Sequence, residues 1–328
     1  MDVLVTGGAG FIGGHIAERL VSNGHHVTVI DNLEPYYDLG IKEHAIDVAR
    51  NEAATGSGEY EFIEGTITDE PLVHAILEDV DVVYHQAAQA GVRASVDEPK
   101  RVNHYNVDGT ITLLEAARET GLTRFIFASS SSVYGTPAYL PYDEDHPKQP
   151  VSPYGVSKLA AEHYTRVYHD IYALPTVSLR YFTVYGPRMR PNMAMTNFVS
   201  RCLHGEPPMI YGDGSQTRDF TYIDDILRVN ERLLTDDRAD GEVLNLGSTD
   251  TIDILTLAEV IRDAIDPELA IEFTDERTGD ADHTHADVSK AAEILEYEPT
   301  VDIKTGVERF IDWYQDNEYW YDPLVRSS

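Results

Sequence analysis

The chain has 328 residues, 42% of them hydrophobic, enough to bury a real core in one large or two modest globular units. Its 57 acidic residues face 25 basic ones, of which six are lysine; the net charge of −32 argues against a nucleic-acid partner. A single cysteine, Cys202, excludes an internal disulfide and a cysteine-based zinc cluster.

No apolar run reaches the roughly 18 residues of a membrane helix, and Met1 leads directly into Val3-Leu4-Val5, so a cytoplasmic protein with no membrane partner is expected. The acids are dispersed, as in Asp236-Asp237 and Asp263 to Glu268, and form no tail. Such a surface fits a halophilic adaptation. It predicts a thermal midpoint that rises with molar salt, as self-repulsion is screened.

Up to about residue 185, strand-like and helix-like segments alternate. Strands are expected near 2–6, 26–31, 60–64, 81–87, 124–129 and 175–182, with helical spacing notably in 11–23, 103–119 and 154–172. This is the pattern of a doubly wound parallel sheet, a Rossmann-type α/β fold. Leu159, His163, Val167 and Ile171 recur every four residues, predicting a packing stripe. Together with the similar 103–119 helix the stripe equally fits a homodimer face. After Gly186 the chain turns loop-rich, with Pro187, Pro191, Pro207, Pro208 and the turn Tyr211-Gly-Asp-Gly214. The division expected is 1–186 for the dinucleotide domain and 187–328 for a smaller substrate lobe. In the latter, strand-like 242–246 and helices near 253–265, 288–296 and 304–317 follow, and the 236–265 segment is a candidate to return to the main sheet.

Thr6-Gly-Gly-Ala-Gly-Phe-Ile-Gly13 joins the first strand to the first helix. Gly7, Gly10 and Gly13 allow a tight turn and close approach of backbone to a pyrophosphate, and the N–H groups of Phe11, Ile12 and Gly13 open the helix N-terminus toward that charge. Asp31 ends the next strand, where a carboxylate accepts hydrogen bonds from the adenosine ribose and repels a 2′-phosphate, so NAD is favoured over NADP; Asn32 follows it.

Tyr154 and Lys158 stand four apart at the start of a helix and therefore share a face. A phenol titrates near pH ~10, and a neighbouring ammonium favours its ionised form, which makes the pair a candidate proton acceptor for an alcohol.

With these stretches, His85-Gln-Ala-Ala-Gln-Ala-Gly-Val-Arg93, Asn106-Val-Asp-Gly-Thr110, Ser129-Ser-Ser-Ser-Val-Tyr-Gly135 and Arg180-Tyr-Phe-Thr-Val-Tyr-Gly-Pro187 run in order. Together they resemble the extended short-chain dehydrogenase/reductase family from Val3 to about Trp313. The resemblance implies a Rossmann domain holding NAD, a Ser-Tyr-Lys site and a C-terminal lobe that grips a nucleoside-diphosphate sugar. Within it, Ser130 takes the catalytic hydroxyl position, with Ser131 the alternative count, and Ser131, Ser132 and Thr183 fall on the substrate side. Ala87 and Ala88 match small residues under the nicotinamide ribose and pyrophosphate. Asn106 matches an asparagine that braces the active-site helix beside the cofactor. Thr66 stands where the family usually has an adenine-contacting Asp, leaving Ile67 and backbone groups to hold adenine.

The same resemblance places Arg218 and Arg277 against the diphosphate, Asp280 in the segment closing over phosphate and ribose, and Asn197 near the nucleotide. Pro187-Arg-Met-Arg-Pro-Asn-Met-Ala194 resembles the segment of UDP-glucuronate 4-epimerases whose second arginine, here Arg190, meets the sugar carboxylate; Asn192 departs from the usual Asp. Decarboxylating and dehydrating members carry an acid two positions after the catalytic hydroxyl, where this chain has Ser132. The expectation is thus an NAD-dependent UDP-sugar 4-epimerase acting on UDP-glucose or UDP-glucuronate, a UDP-glucuronate decarboxylase or 4,6-dehydratase being the rival and a non-catalytic NAD-binding protein the remote one. His283 and His285, two apart without further ligands, imply no metal.

Overall fold

The structure, a computed structural model, describes residues 1–275 and 283–328. The chain begins β1 (Asp2–Thr6), α1 (Phe11–Ser22), β2 (His26–Asp31), α2 (Leu39–Thr55), β3 (Glu59–Glu64), α3 (Glu70–Leu77) and β4 (Val82–His85). It continues α4 (Val92–Asp97), α5 (Pro99–Asn103), a π-turn (His104–Asp108), α6 (Gly109–Thr120), β5 (Arg124–Ser130), α7 (Pro153–Tyr172) and β6 (Thr176–Tyr181). Then come β7 (Thr183–Tyr185), α8 (Ala194–Leu203), β8 (Met209–Tyr211), β9 (Thr217–Arg218), β10 (Phe220–Tyr222) and α9 (Ile223–Arg232). The last elements are β11 (Val243–Leu246), β12 (Ile252–Asp253), α10 (Ile254–Ile265), β13 (Glu272–Thr274), α11 (Ser289–Leu295) and α12 (Ile303–Arg326).

Among the described residues seven strands form one sheet in the order β11-β6-β5-β4-β1-β2-β3, every pair parallel. Strand order reverses between β1 and β4, and at that switch point the carboxyl ends of the strands open a crevice. β1, β4, β5 and β6 are almost wholly buried because helices cover both faces, which explains their unbroken apolar runs. β11 joins the sheet beside β6, and α9 packs on α1 with Glu231 accepting from Arg19. One apolar cluster runs from Val3, Ile16 and Val29 to Phe198, Leu257 and Phe310, so the later part of the chain shares its core with the sheet.

Three expectations from sequence change. The fourth strand stops at His85 instead of 87: Gln86 still donates to the Thr6 carbonyl, but Ala87 turns to donate to the Thr6 hydroxyl and passes under Gly7. The 103–119 helix is interrupted by the π-turn, which inserts Asn106 between the loop after β4 and α7. Finally, α7 buries Ser157, Lys158, Ala161, Glu162, Thr165 and Tyr168, whereas Val167 is 42% and Ile171 67% exposed, and His163 is exposed too. Of the predicted stripe only Leu159 packs, on the cluster around Val133 and Tyr134. The inner face is polar because Glu162 holds the buried Arg180 guanidinium through both oxygens, at 2.6 and 3.0 Å, and accepts from Ser129 at 2.6 Å.

Candidate active site

A cavity of about 1330 Å³ lies along the carboxyl edge of the sheet and extends beneath the second lobe. It exceeds the ~300–1,000 Å³ of an ordinary small-molecule pocket and has room for two elongated ligands.

At one end the turn after β1 is built for contact with a ligand's phosphates. Gly7 has φ +67°, and a Cβ there would lie 2.7 Å from the Ala87 backbone; a Cβ on Gly13 would lie 2.4 Å from the Gly7 carbonyl. Larger residues at either place would fill the cradle. Gly10 caps α1 without any side-chain acceptor, so the first N–H groups of a twelve-residue helix face the cavity. Phe11, Ile12 and Gly13 line it, as do Ala87 and Ala88 from the loop after β4. This geometry fits a dinucleotide pyrophosphate.

At the end of β2, Asp31 accepts from Ala9 N (3.2 Å), Leu33 N (2.9 Å) and Lys42 Nζ (3.1 Å). Asn32, Thr66 and Ile67 complete this wall, the Thr66 hydroxyl being hydrogen-bonded to Thr68 at 2.9 Å. Asn106 is absent from the lining. It is buried behind it, accepting from Gln89 N at 2.7 Å and donating to Ser157 Oγ at 2.9 Å, which ties the loop after β4 to α7. The π-turn aims it at the backbone of that loop and at α7.

The chemistry-bearing groups meet where β5 ends and α7 begins. Ser152 caps α7 through Gly155 N, and Pro153 occupies its first turn, so Tyr154 is presented at the helix start. Ser130 lies beside the Tyr154 phenol, on which it acts to lower the pKa, and accepts from Ser132 N at 3.1 Å. Ser131 and Ser132 lie in the following 3₁₀ turn and also line the cavity. Burial raises the phenol above its usual range, and the Arg190 guanidinium and the Ser130 hydroxyl pull it part of the way back down. Lys158, expected to supply that charge, donates to the Ala128 carbonyl at 2.8 Å, and burial holds its ammonium down at about 7. The phenol stays above its usual range on balance, and the cation that offsets part of the burial is Arg190, brought from a loop 36 residues further along the chain.

Arg190 lines the cavity, sits 5.9 Å over the Tyr36 ring and pairs with no carboxylate among the described residues. Tyr36 in turn accepts from Asn192 at 3.1 Å. Thr183, Asn197 and Arg218 line the same end; Asn197 donates to the carbonyls of Pro191 and Met193, which holds the Arg190 loop against α8. Arg277 and Asp280 lie outside the described residues. Reasoning from sequence missed Tyr36, Tyr37 and Lys42, all cavity residues after β2. The adjacent tyrosines before a helix were the available signal.

A Rossmann sheet with a glycine cradle, an acid at the end of β2 and a Ser-Tyr-Lys cluster defines an enzyme of the short-chain dehydrogenase/reductase class. Residues 4–310 match the family model described as GDP-mannose 4,6 dehydratase, and the chain belongs to that family. A putative UDP-glucose 4-epimerase of Methanocaldococcus jannaschii is 37% identical over 96% of this chain and 99% of its own length. A probable UDP-glucuronate 4-epimerase of Rhizobium meliloti is 34% identical over 97% and 98%. Among solved structures, the UDP-glucuronic acid 4-epimerase of Bacillus cereus in complex with UDP-glucuronic acid and NAD superposes with a TM-score of 0.89, at 38% identity, over 97% of this chain and all of that one.

Proposed function

We propose that the protein is an NAD-dependent UDP-sugar 4-epimerase and that its sugar is the glucuronate/galacturonate pair. Arg190 carries the choice of sugar: an arginine without a carboxylate partner among the described residues lines the cavity close enough to Tyr154 to act on its phenol, which supports a role in meeting a C6 carboxylate of a sugar whose C4 is at Tyr154. In a chain of net charge −32 a cation without an acid partner among the described residues supports a binding role, and guanidinium–carboxylate pairing is strong and directional. The family resemblance of residues 187–194 and relatives bearing both names support the reading.

Gly7, Gly10, Gly13 and the α1 N-terminus hold the pyrophosphate, Asp31 the adenosine ribose, and Thr66 and Ile67 flank adenine. A bound nicotinamide supplies reversible hydride exchange at the sugar C4. Tyr154 removes the C4 hydroxyl proton, Ser130 holds the same oxygen, and a 4-keto sugar results. Lys158 keeps the floor under Tyr154 in place through the Ala128 carbonyl and presents its ammonium to the cofactor ribose. After the keto sugar turns its other face, Tyr154 returns the proton, so there is no net redox and no second substrate. Ser131, Ser132 and Thr183 steady the sugar, Arg190 its carboxylate, and Arg218, Arg277, Asp280 and Asn197 the nucleotide end. Ser132, in place of an acid, leaves no carboxyl group at that position to assist elimination or loss of carbon dioxide.

The protein works as a cytoplasmic homodimer. No helix among the described residues is long and apolar enough to cross a membrane. Val156, Tyr164, Val167, Ile171 and Tyr172 form an exposed apolar face on α7 that a second copy covers, and light scattering should give twice the chain mass.

Incubation with UDP-glucuronate and with UDP-glucose separately, followed by NMR of the sugars, tests the function. The galacturonate epimer should accumulate from the first and little product from the second; equal turnover of both would sink the choice of sugar, and release of carbon dioxide would sink the epimerase.

A further inference from the structure

The loop that carries Arg190 joins β7 to α8 and is tied down on both sides. Toward α8, Thr196 Oγ1 donates to the Arg190 carbonyl at 3.3 Å and Asn197 to the Pro191 carbonyl at 2.8 Å. Toward β7 the ties run to distant helices. The Tyr321 hydroxyl of α12 donates to the Met189 carbonyl, and the Arg188 guanidinium pairs with Glu18 of α1. Arg188 has φ +59°, a left-handed backbone that is costly for a residue with a Cβ and persists only where the surroundings impose it. Its side chain is 9% exposed. Burial, and then the Arg188 guanidinium, push the neighbouring His15 imidazole well below its ordinary value, so His15 adds no charge near neutral pH. Glu18 is thus the counter-charge of Arg188 among the described residues. Met189 and Arg190 line the cavity, whereas Arg188 and Glu18 lie outside its lining.

We infer that the Arg188–Glu18 ion pair positions Arg190: it pins the left-handed residue two places earlier to α1 and so fixes the direction from which the Arg190 guanidinium enters the cavity to meet a sugar carboxylate. The inference rests on reading Arg190 as the group that meets that carboxylate. A guanidinium on a loose loop loses orientational freedom each time it binds, and a fork that must match two oxygens suffers most from being misaimed. Glu18 and Arg188 are positioning residues in this scheme, since neither reaches the ligand. Their effect is therefore confined to substrates that carry the carboxylate.

Titration calorimetry with UDP-glucuronate and with UDP-glucose tests this on the NAD-saturated protein in a Tyr154→Phe background, where turnover does not obscure binding. Glu18→Gln keeps the size of the side chain and removes its charge, Arg188→Met removes the cation, and Arg188→Gly removes it while relieving the left-handed strain. Each should weaken UDP-glucuronate about tenfold, the lower worth of one hydrogen bond to a charged group, and UDP-glucose less than about twofold. With Arg190→Ala already in place, Glu18→Gln should cause no further loss, because no guanidinium is left to aim. Should the Arg188 variants fail to fold, Glu18→Gln, at a side chain 32% exposed, carries the test. Equal weakening of both sugars, or the same loss with and without Arg190, would make the pair a brace for the fold and overturn the inference. Undiminished UDP-glucuronate binding in the variants would overturn it too. If Arg190→Ala alone weakens both sugars equally, the carboxylate reading fails and takes this inference with it, an outcome visible while the ion pair is intact.

Discussion

The two ends of the cavity solve opposite problems with opposite means. Around the turn after β1 and the end of β2, recognition is built from backbone and from charges paired within the protein: glycines that leave no room for a Cβ, a helix terminus, and Asp31 held by Lys42. Around Tyr154, the side chains Arg190 and Arg218 dominate, and Arg190 has no acid partner among the described residues. The difference teaches that one end recognises a ligand by shape, while the other waits for the ligand's own negative charge. A retained cofactor suits the first arrangement, and a substrate that must bind, turn over and leave suits the second.

Replacing the central hydroxyl should disturb neither end's binding. Tyr154→Phe is expected to keep NAD affinity in calorimetry and to lose turnover by at least about a hundredfold, the lower range of acid–base contributions. Unchanged turnover would remove Tyr154 from the mechanism. The charged end should then be separable from the shaped one: Arg190→Ala is expected to lower kcat/KM for UDP-glucuronate roughly 10- to 100-fold, the worth of one hydrogen bond to a charged group. NAD binding should be unaffected, and an equal loss with UDP-glucose would assign Arg190 to the phosphates or to folding. Gly7→Ala attacks the shaped end. A left-handed backbone with a Cβ costs about 1–2 kcal/mol before the clash with Ala87 is counted. The variant should bind NAD at least about fivefold more weakly and melt lower, and normal binding would show that the cradle is not tight.

A further effect concerns Lys158, between the two ends. Burial lowers its folded pKa from 10.5 to about 7. Between those values the unfolded chain binds the proton more tightly, so the contribution of this group to stability is complete above about pH 10.5 and is lost as pH falls toward 7. Lys158→Met should therefore melt higher than the unaltered protein near pH 7, with a gap that narrows as pH rises. A gap independent of pH across that window would place the ammonium in a solvated setting.

The local motifs were readable because they depend on neighbours in the chain. The Gly7 to Gly13 turn needs a strand before it and a helix after it, and Tyr154 and Lys158 share a helix face at a spacing of four. Asn106 was recognised as a brace, but the π-turn that aims it was not, because such a turn leaves no periodic signature to distinguish it from continuous helix. The α7 stripe was read as packing, since a pattern of apolar residues shows that a face is to be covered without saying whether by this chain or another. What faces inward instead is Glu162 with Arg180, a polar pair that a search for apolar periodicity passes over.

By itself, then, the sequence pointed to the parallel α/β fold through alternating segments, to the glycine cradle, Asp31 and the Tyr154-Lys158 pair through local spacing, and to Ser130 through the family resemblance. Only the tertiary structure decided that the segment expected to return to the sheet pairs as β11 beside β6, that Lys42 answers Asp31, and that Arg190 lies close enough to the Tyr154 phenol to lower its pKa. Electrostatic partners are chosen by distance in space, and loop closure between residues 154 and 190 sets that distance without leaving a periodic trace in the sequence.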